Sequence, residues 1–212
     1  MSEAVIVSTA RTPIGKAYRG SFNNTSPVTM AGHVIENALE RAEIEPGEVE
    51  DVWMGCGFPE GAQGQNVARH ASIRAGIPVT AGAATVNRFC SSGLQTIAIA
   101  AQRIVMDKVP IIVAAGVESI SMIPPNHQEA TVVEEPEVQK VKPEIYMVML
   151  DTAETVASRY KVSREAQDEY ALISQQRTAA AQQAGRFEDE IVALSTVMMF
   201  KDKESGEVIE KE

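Results

Sequence analysis

Short apolar runs alternate with amphipathic segments along roughly the first half of the chain. The runs are rich in Val, Ile and Ala and predict buried strands, whereas the segments between them repeat apolar residues at helical spacing. We predict four strands and three helices from this pattern: strands at residues 4–10, 49–57, 82–89 and 109–119, and helices at 28–43, 65–75 and 91–108. Strands that are apolar throughout and alternate with helices indicate an α/β fold, a parallel sheet with helices on both faces.

The pattern changes at the end of the fourth predicted strand. A segment rich in proline and acidic residues follows, and its lack of periodicity indicates a long surface excursion. Beyond it we predict helices at 152–160 and 164–184, with Ser163 as the cap of the second helix, and then shorter extended segments. The pattern therefore divides the chain into an α/β part over residues 1–118 and a partly helical part over 119–212.

Composition and charge exclude several kinds of partner. The 212 residues carry a formal net charge of −10, which argues against nucleic acid or an anionic membrane as the main partner. No run approaches the ~20 apolar residues that cross a bilayer, and the chain starts without a secretory signal, so we expect a cytoplasmic protein. The two cysteines, Cys56 and Cys90, form no CxxC motif, so neither a disulfide framework nor a metal site is predicted.

Cys90 is the candidate catalytic residue because it lies where a predicted strand gives way to a predicted helix. At a helix start, backbone N–H groups and the helix dipole favour the thiolate, which is the nucleophilic form of cysteine. We expect Ser91, Ser92 and Gly93 to supply free N–H groups, which also suit a developing oxyanion. The position alone is explained equally well by a buried cysteine beside a serine-capped helix.

A cysteine nucleophile also needs a base, and the chain has three histidines. His33 and His70 lie on predicted surface helices, and His127 lies in the proline-rich segment. None of them has a predicted partner that would orient it towards Cys90. The sequence thus offers a nucleophile without an identifiable base.

The glycine-rich turn after the second predicted strand does not match a dinucleotide-binding motif. Its glycines at positions 55 and 57 would require a third glycine where the chain has Glu60. Cys56, between the two glycines, is predicted to be a small buried thiol at a strand end. Glu118 follows the fourth predicted strand, and we expect it to orient the active-site turn or to cap a neighbouring element.

Several segments of the chain resemble the thiolases. The most specific is the segment around Cys90, VNRFCSSGLQ, which resembles the family's nucleophile segment. The others resemble its first strand, second helix, fourth strand and loop-domain helices: VIVSTARTPIGK, GQNVARHASIRAGIP, AAGVESISMIP and DTAETVASRYKVSREAQDEYALISQQRTAAAQQAGRFEDEIV. The resemblance covers residues 1–200. The Asn-Arg-aromatic-Cys motif resembles that of the degradative 3-ketoacyl-CoA thiolases.

This resemblance implies a thiolase-like fold, with an α/β domain over residues 1–118 that contains a mostly parallel mixed sheet, and an incomplete, partly helical loop domain over 119–212. It also implies an acyl-CoA C-acyltransferase of fatty acid β-oxidation that assembles as a homodimer or homotetramer. Cys90 would attack a 3-ketoacyl-CoA, release acetyl-CoA and hold the shortened acyl group until coenzyme A removes it. The backbone N–H of Cys90 would be one oxyanion donor, and Met149 would line the acyl pocket, although ordinary core packing explains the spacing of Met149 equally well. Coenzyme A is then a substrate, with no permanently bound cofactor and no metal.

The chain departs from the family pattern in two ways. Leu150 and Asp151 follow Met149, where the family usually has glycine, which leaves the accepted acyl length open. The family's Gly-His-Pro histidine, second cysteine and Asn-Glu-Ala-Phe segment are missing, so we expect the C-terminal thiolase domain to be absent and the chain alone to be inactive. Three alternatives remain open: a half-subunit module that binds a partner carrying the second half, a biosynthetic acetoacetyl-CoA thiolase, and a decarboxylating condensing enzyme of the same superfamily.

Overall fold

The computed structural model describes residues 3–123, 134–201 and 208–211, which contain six α-helices and five strands beside three short 3-10 helices. In chain order they are α1 (Pro27–Arg41), β1 (Asp51–Gly55), α2 (Val67–Arg74), β2 (Gly82–Val86), α3 (Ser92–Met106), β3 (Ile112–Gly116), α4 (Pro136–Val141), α5 (Met149–Tyr160), α6 (Arg164–Gln183), β4 (Met198–Lys201) and β5 (Val208–Lys211). All five predicted helices are confirmed. Within these residues, no helix is both long enough and apolar enough to cross a membrane.

The three strands β1, β2 and β3 form a parallel sheet in the order β2-β1-β3. Asp51, at the start of the central strand β1, lies opposite Gly82 of β2 and Ile112 of β3. Together with the helices between successive strands, this sheet confirms the predicted α/β fold. The last two strands form a separate antiparallel pair in which Met198 lies opposite Lys211.

Alternate residues of β1 face two different helical layers. Val52 and Met54 are fully buried in the main core, which they share with residues of α1 and α2. Asp51 lies on the opposite face, where its carboxylate accepts hydrogen bonds from Trp53 and from Arg103 of α3. Because successive strand residues point to opposite faces, α1 and α2 cover one face of the sheet and α3 covers the other.

Contacts divide the chain into two compact units. The first consists of two segments and the second of one: Met1–Pro125 with Glu190–Glu212, and Asn126–Asp189. The prediction assigned residues 119–212 to a single loop domain, whereas the last part of the chain groups with the α/β unit. The reason is backbone pairing, because the Arg11 N–H donates to the Glu190 carbonyl oxygen at 2.8 Å and the Val192 N–H donates to the Arg11 carbonyl oxygen at 2.9 Å.

The second unit contains α4, α5 and α6, and none of these three helices has a buried residue. α5 ends at Tyr160, and the cap residue that follows, Lys161, has a left-handed backbone with φ of 55°. Ser163 caps α6 as predicted, since its side chain accepts a hydrogen bond from the Ala166 N–H at 3.2 Å. Gly185 follows α6 with φ of 67°, a conformation that favours glycine.

The predicted strand at residues 4–10 is not formed. Val5, Ile6 and Val7 are between 69% and 71% exposed, and the first backbone pairing of this segment is the single bridge between Arg11 and Ile191. A run of β-branched residues becomes a strand only where another strand accepts its hydrogen bonds. None of the described strands pairs with this run.

An open apolar cleft lies between residues 4–12 and β3. Its volume is about 940 Å³, and it is lined by those residues, by one face each of α1 and α3, and by β3. Among the described residues, no strand pairs with the outer edge of β3. Only one face of α3 meets the sheet, so Leu94, Ile97 and Met106 are exposed.

Candidate active site

Cys90 lies in the short turn between β2 and α3, at the carboxyl edge of the parallel sheet. Its side chain is exposed. α3 begins at Ser92 with Ser91 as its N-cap residue, so Cys90 is one position before the cap rather than at the cap or the first helical position. The carboxyl edge of a parallel sheet is where open α/β proteins bind ligands, so the sulfur is accessible at a suitable place.

Two of the three N–H groups that we expected to be free at this helix start are already used. The Ser91 N–H donates to the Arg88 carbonyl oxygen at 3.2 Å, and the Ser92 N–H donates to the Phe89 carbonyl oxygen at 3.0 Å. These hydrogen bonds close the turn before the helix begins. The expectation that Ser91 and Ser92 offer free donors is therefore wrong, which leaves Gly93 as the candidate from that set.

The side chain of Ser92 holds the same turn from the inside. It is 4% exposed, and its hydroxyl accepts a hydrogen bond from the Arg88 N–H at 2.9 Å and donates one to the Phe89 carbonyl oxygen at 2.5 Å. A buried hydroxyl must have such partners to offset its lost hydration. Sequence reasoning gave Ser92 a backbone role only, because its side-chain partners depend on how the turn folds.

Phe89, directly before Cys90, has a left-handed backbone with φ of 45°. This conformation costs a residue other than glycine about 1–2 kcal/mol, so neighbouring groups must hold it. The side chain of Asn87 does this: its Oδ1 accepts a hydrogen bond from the Phe89 N–H at 2.8 Å, and its Nδ2 donates to the Gly57 carbonyl oxygen at 3.0 Å. Sequence reasoning missed Asn87, although an asparagine that bonds the backbone two residues later is a common turn signal.

A buried glutamine joins the chain segments that leave β1 and β3. Gln63 is 0% exposed, and its Nε2 donates to the Phe58 carbonyl oxygen at 2.7 Å and to the Glu118 carboxylate. Its Oε1 accepts a hydrogen bond from the Ser119 N–H at 2.8 Å. Glu118 also accepts a hydrogen bond from the Gly57 N–H at 2.7 Å. These contacts agree with the expectation that Glu118 orients the turns at this edge.

The other thiol, Cys56, is enclosed. Its residue is 1% exposed, and its Sγ donates to Glu118 Oε1 at 3.8 Å. Burial, and then the negative charge of Glu118, raise the pKa of the Cys56 thiol to about 12. Because a protonated thiol is a poor nucleophile, this environment agrees with the structural role predicted for Cys56.

The start of α3 packs closely against β1. A methyl group on Gly55 would lie 2.5 Å from the carbonyl carbon of Ser92 and 2.6 Å from the backbone nitrogen of Gly93, so space alone requires glycine there. Thr96 is 0% exposed, and its hydroxyl bonds the carbonyl oxygens of Gly93 at 2.8 Å and Ala115 at 3.0 Å. These contacts fix the first turn of the helix, and with it the preceding turn, against the sheet.

The described histidines form no hydrogen bond with Cys90. His33 lies on α1, and its Nε2 donates to the Ala193 carbonyl oxygen at 2.8 Å. His70 is exposed on α2, and His127 lies outside the described residues. The part of the chain that the structure describes therefore presents a candidate nucleophile without a histidine base beside it.

The candidate pocket residue Met149 is the first residue of α5, in the second unit. It is 77% exposed, and the following Leu150 is 80% exposed. Core packing, the alternative explanation for Met149, is therefore excluded for the described chain. Its role in an acyl pocket stays a prediction.

The fold and the turn together define a class: an α/β protein that presents an exposed cysteine between a parallel strand and the helix that follows it. Comparison with known families identifies the family within this class. Residues 4–212 match the model of the thiolase N-terminal domain. The chain belongs to the thiolase family.

Individual relatives agree with this assignment. The chain is 44% identical over 200 residues to a 3-ketoacyl-CoA thiolase of Bacillus subtilis (strain 168), and the matched region covers 93% of the chain and 50% of that protein. It is 39% identical over 204 residues to an acetyl-CoA acetyltransferase of Paracoccus denitrificans, and the matched region covers 92% of the chain and 52% of that protein. The chain thus spans about half the length of the curated relatives it matches.

A solved structure supports the fold independently. The crystal structure of the Bacillus anthracis acetyl-CoA acetyltransferase superimposes with a TM-score of 0.77 at 33% sequence identity. The similarity covers 100% of the chain and 54% of that protein. The described α/β architecture is therefore that of the thiolases.

Proposed function

We propose that the chain is the N-terminal half of an acetyl-CoA C-acyltransferase, a 3-ketoacyl-CoA thiolase, with Cys90 as its nucleophile. The observation that carries this proposal is the exposed Cys90 sulfur on a turn held by Asn87 and Ser92, in a chain of the thiolase family. The relatives named above, a 3-ketoacyl-CoA thiolase and two acetyl-CoA acetyltransferases, support the reaction class.

In the proposed reaction the Cys90 thiolate bonds to the 3-keto carbon of a 3-ketoacyl-CoA. The C2–C3 bond then breaks, and its electron pair leaves with the two-carbon fragment, which takes up a proton and becomes acetyl-CoA. The shortened acyl group remains on Cys90 as a thioester. A coenzyme A thiol gives its proton to a base, attacks this thioester and leaves as the shortened acyl-CoA, which restores the thiolate. Coenzyme A is a substrate here, and no resident cofactor is needed.

The base and any second catalytic cysteine belong, in this proposal, to the second half of a thiolase polypeptide. Support comes from the described histidines, which lack a hydrogen bond to Cys90, and from the enclosed Cys56. We propose that the 212-residue chain alone has negligible thiolysis activity. Losing cooperating catalytic groups commonly costs several powers of ten in rate.

The test joins the chain to the second half of the related Bacillus subtilis 3-ketoacyl-CoA thiolase and measures cleavage of acetoacetyl-CoA. We expect Cys90→Ser to lower kcat by at least about 10³-fold, because the attacking atom is replaced. Cys56→Ala is the matched control and should retain activity. Mass spectrometry of peptides from an acetyl-CoA incubation should locate the acyl group on Cys90.

Two results would contradict the assignment. One is a Cys90→Ser enzyme that keeps normal turnover, and the other is an acyl group found on Cys56. The same assay compares acetoacetyl-CoA with longer 3-ketoacyl-CoA substrates. Exclusive use of acetoacetyl-CoA would favour the biosynthetic alternative, which runs the same chemistry towards condensation.

A second candidate function is a module that receives the complementary half as a separate polypeptide. The observation that favours it is the open apolar cleft beside the unpaired edge of β3. The expected occupant is an apolar β-strand from a polypeptide carrying the second half of a thiolase, because a free strand edge pairs with another strand. Co-expression of the two halves as separate chains tests this function. If the chain is such a module, the two halves must co-purify as a stable complex.

We further propose that the complete protein works in the cytoplasm as a homodimer or homotetramer on 3-ketoacyl-CoA and coenzyme A. The family membership and the net charge of −10, which disfavours nucleic acid and anionic membranes, support this proposal. Sedimentation of the active protein measures the number of subunits. A monomer with full activity would contradict the assembly.

A further inference from the structure

Three parallel strands end at the same edge of the sheet. Each strand is followed, within two positions, by a residue that takes part in one continuous chain of hydrogen bonds. Gly57 follows β1, Asn87 follows β2 and Glu118 follows β3. The Gly57 N–H donates to Glu118 Oε2 at 2.7 Å, and the Gly57 carbonyl oxygen accepts from Asn87 Nδ2 at 3.0 Å. These bonds tie the three strand exits together across the sheet.

The chain of hydrogen bonds ends on the residue next to the nucleophile. Asn87 Oδ1 accepts from the Phe89 N–H at 2.8 Å, and Phe89 has the left-handed φ of 45°. Phe89 is also 68% exposed, so its ring gains little from packing and does not hold this backbone in place. Asn87 is the one side chain that bonds both the Phe89 N–H and a neighbouring strand exit among the described contacts.

We propose that Asn87 is a positioning residue for Cys90: through Phe89 and Gly57 it fixes the turn that presents the sulfur. The inference rests on the proposed role of Cys90 as the nucleophile. Ser92 holds the same turn from the helix side, through the Arg88 N–H and the Phe89 carbonyl oxygen. Asn87 holds it from the sheet side, so its loss frees the turn from the neighbouring strands.

The test measures the rate at which iodoacetamide labels Cys90 in the intact chain over a series of pH values, by peptide mass spectrometry. Asn87→Ala should slow labelling roughly three- to tenfold at about pH 7, because the freed turn no longer holds the sulfur at the start of α3, where the helix dipole assists an attacking sulfur. Asn87→Ser should give an intermediate rate, because a serine hydroxyl reaches the Phe89 N–H more weakly and does not reach Gly57.

Asn66→Ala is the matched control for general destabilisation. Asn66 uses the same two kinds of backbone bond, since its Oδ1 accepts from the Arg69 N–H at 3.2 Å and its Nδ2 donates to the Ala83 carbonyl oxygen at 3.0 Å. It caps α2 and has no bond to the Cys90 turn. This variant should label at the wild-type rate even though it loses stability.

The outcomes separate the two proposals. If Asn87→Ala labels at the wild-type rate, or if Asn66→Ala slows labelling equally, Asn87 is not a positioning residue and the nucleophile proposal still stands. If wild-type Cys90 reacts no faster than in the urea-unfolded chain, the nucleophile proposal fails and the positioning role fails with it. Fast wild-type labelling, slowed only by changes at Asn87, supports both.

Discussion

At the scale of single residues, the two cysteines have opposite surroundings. Cys90 is exposed on a turn at the edge of the sheet, whereas Cys56 is enclosed beside Glu118. A protein that uses one thiol for covalent chemistry benefits when the other cannot compete for the same electrophile. Burial and the nearby carboxylate provide this separation, because both oppose ionisation of Cys56.

The raised pKa of Cys56 predicts a loss of stability at alkaline pH. Above 9.0 the unfolded chain loses the Cys56 proton, while the folded chain keeps it up to about 12. The unfolded state then binds fewer protons, so the free energy of unfolding falls as the pH rises between these values. By pH 10 this contribution is about 1.4 kcal/mol, and urea unfolding of the wild type and Cys56→Ala at pH 8 and about pH 10 measures it.

The control for this prediction is Val52→Ala, which opens a comparable space in the same core without removing an ionisable group. It should lower stability by the same amount at both pH values. Cys56→Ala should lose the alkaline decline that both the wild type and the control retain. Equal declines in all three proteins would contradict the assigned pKa.

Hydrogen-bond partners were predictable from sequence only where they are close along the chain. Ser163 was identified as a cap because it bonds an N–H three residues later. Gln63 escaped notice because it bonds Glu118, and the bond from Asn87 to Gly57 was missed for the same reason: only the folded sheet brings these partners near. The local bond between Asn87 and the Phe89 N–H was the signal that could have revealed Asn87. Cys90 was chosen as a candidate from its position and from the resemblance of its segment to the thiolases, but the hydrogen bonds that close its turn were not foreseen.

At the scale of elements, the close packing of β1 against α3 holds the turn that carries Cys90 near the sheet. Gly55 permits this approach, and Thr96 bonds across it to Ala115 of β3. The contact between β1 and the start of α3 thus holds the candidate site in place. The supporting residues belong to the fold and are not themselves reactive.

We expect Gly55→Ala to destabilise the chain by about 2 kcal/mol, because its methyl group would meet backbone atoms of Ser92 and Gly93 that cannot move without shifting α3. Gly47→Ala is the control, since a methyl group at Gly47 meets nothing within 4 Å. It should change stability by less than about 0.5 kcal/mol. Thermal or urea unfolding compares the two variants, and equal effects would show that the packing is not restrictive.

Helices were predicted well and strands less well for a physical reason. A helix satisfies its hydrogen bonds within its own segment, so local spacing and caps locate α1, α2 and α3 closely. A strand needs a partner elsewhere in the chain, and residues 4–10 have the composition of a strand without one. Composition therefore indicates which segments are able to pair, and topology decides which of them do.

At the scale of the whole molecule, the open cleft leaves apolar surface without a covering. It lies between residues 4–12 and β3, and Ile97 of α3 lines it while remaining 43% exposed. Apolar surface of this kind is typical of an interaction site or an incomplete core. The half-length match to the relatives agrees with either explanation.

The cleft predicts how two lysine substitutions on α3 differ. Ile97→Lys should reduce binding of a hydrophobic dye and abolish co-purification with the second half of a thiolase, because it places a charge in the cleft. Met106→Lys is the control: Met106 is 76% exposed and does not line the cleft. Dye fluorescence and affinity purification measure the two effects. If both variants behave alike, the cleft is not the binding surface.

The pairing between Arg11 and Glu190–Val192 has a consequence for biosynthesis. The start of the chain leaves the ribosome first, yet its backbone partner is translated only near the end of these 212 residues. The backbone of Arg11 therefore has to wait for these partners while the helices of the second unit are being made, and the aliphatic residues 5–7 just before it stay exposed. During this period, chaperones that recognise short aliphatic segments are able to bind residues 5–7. Slow translation of the second unit would lengthen the period.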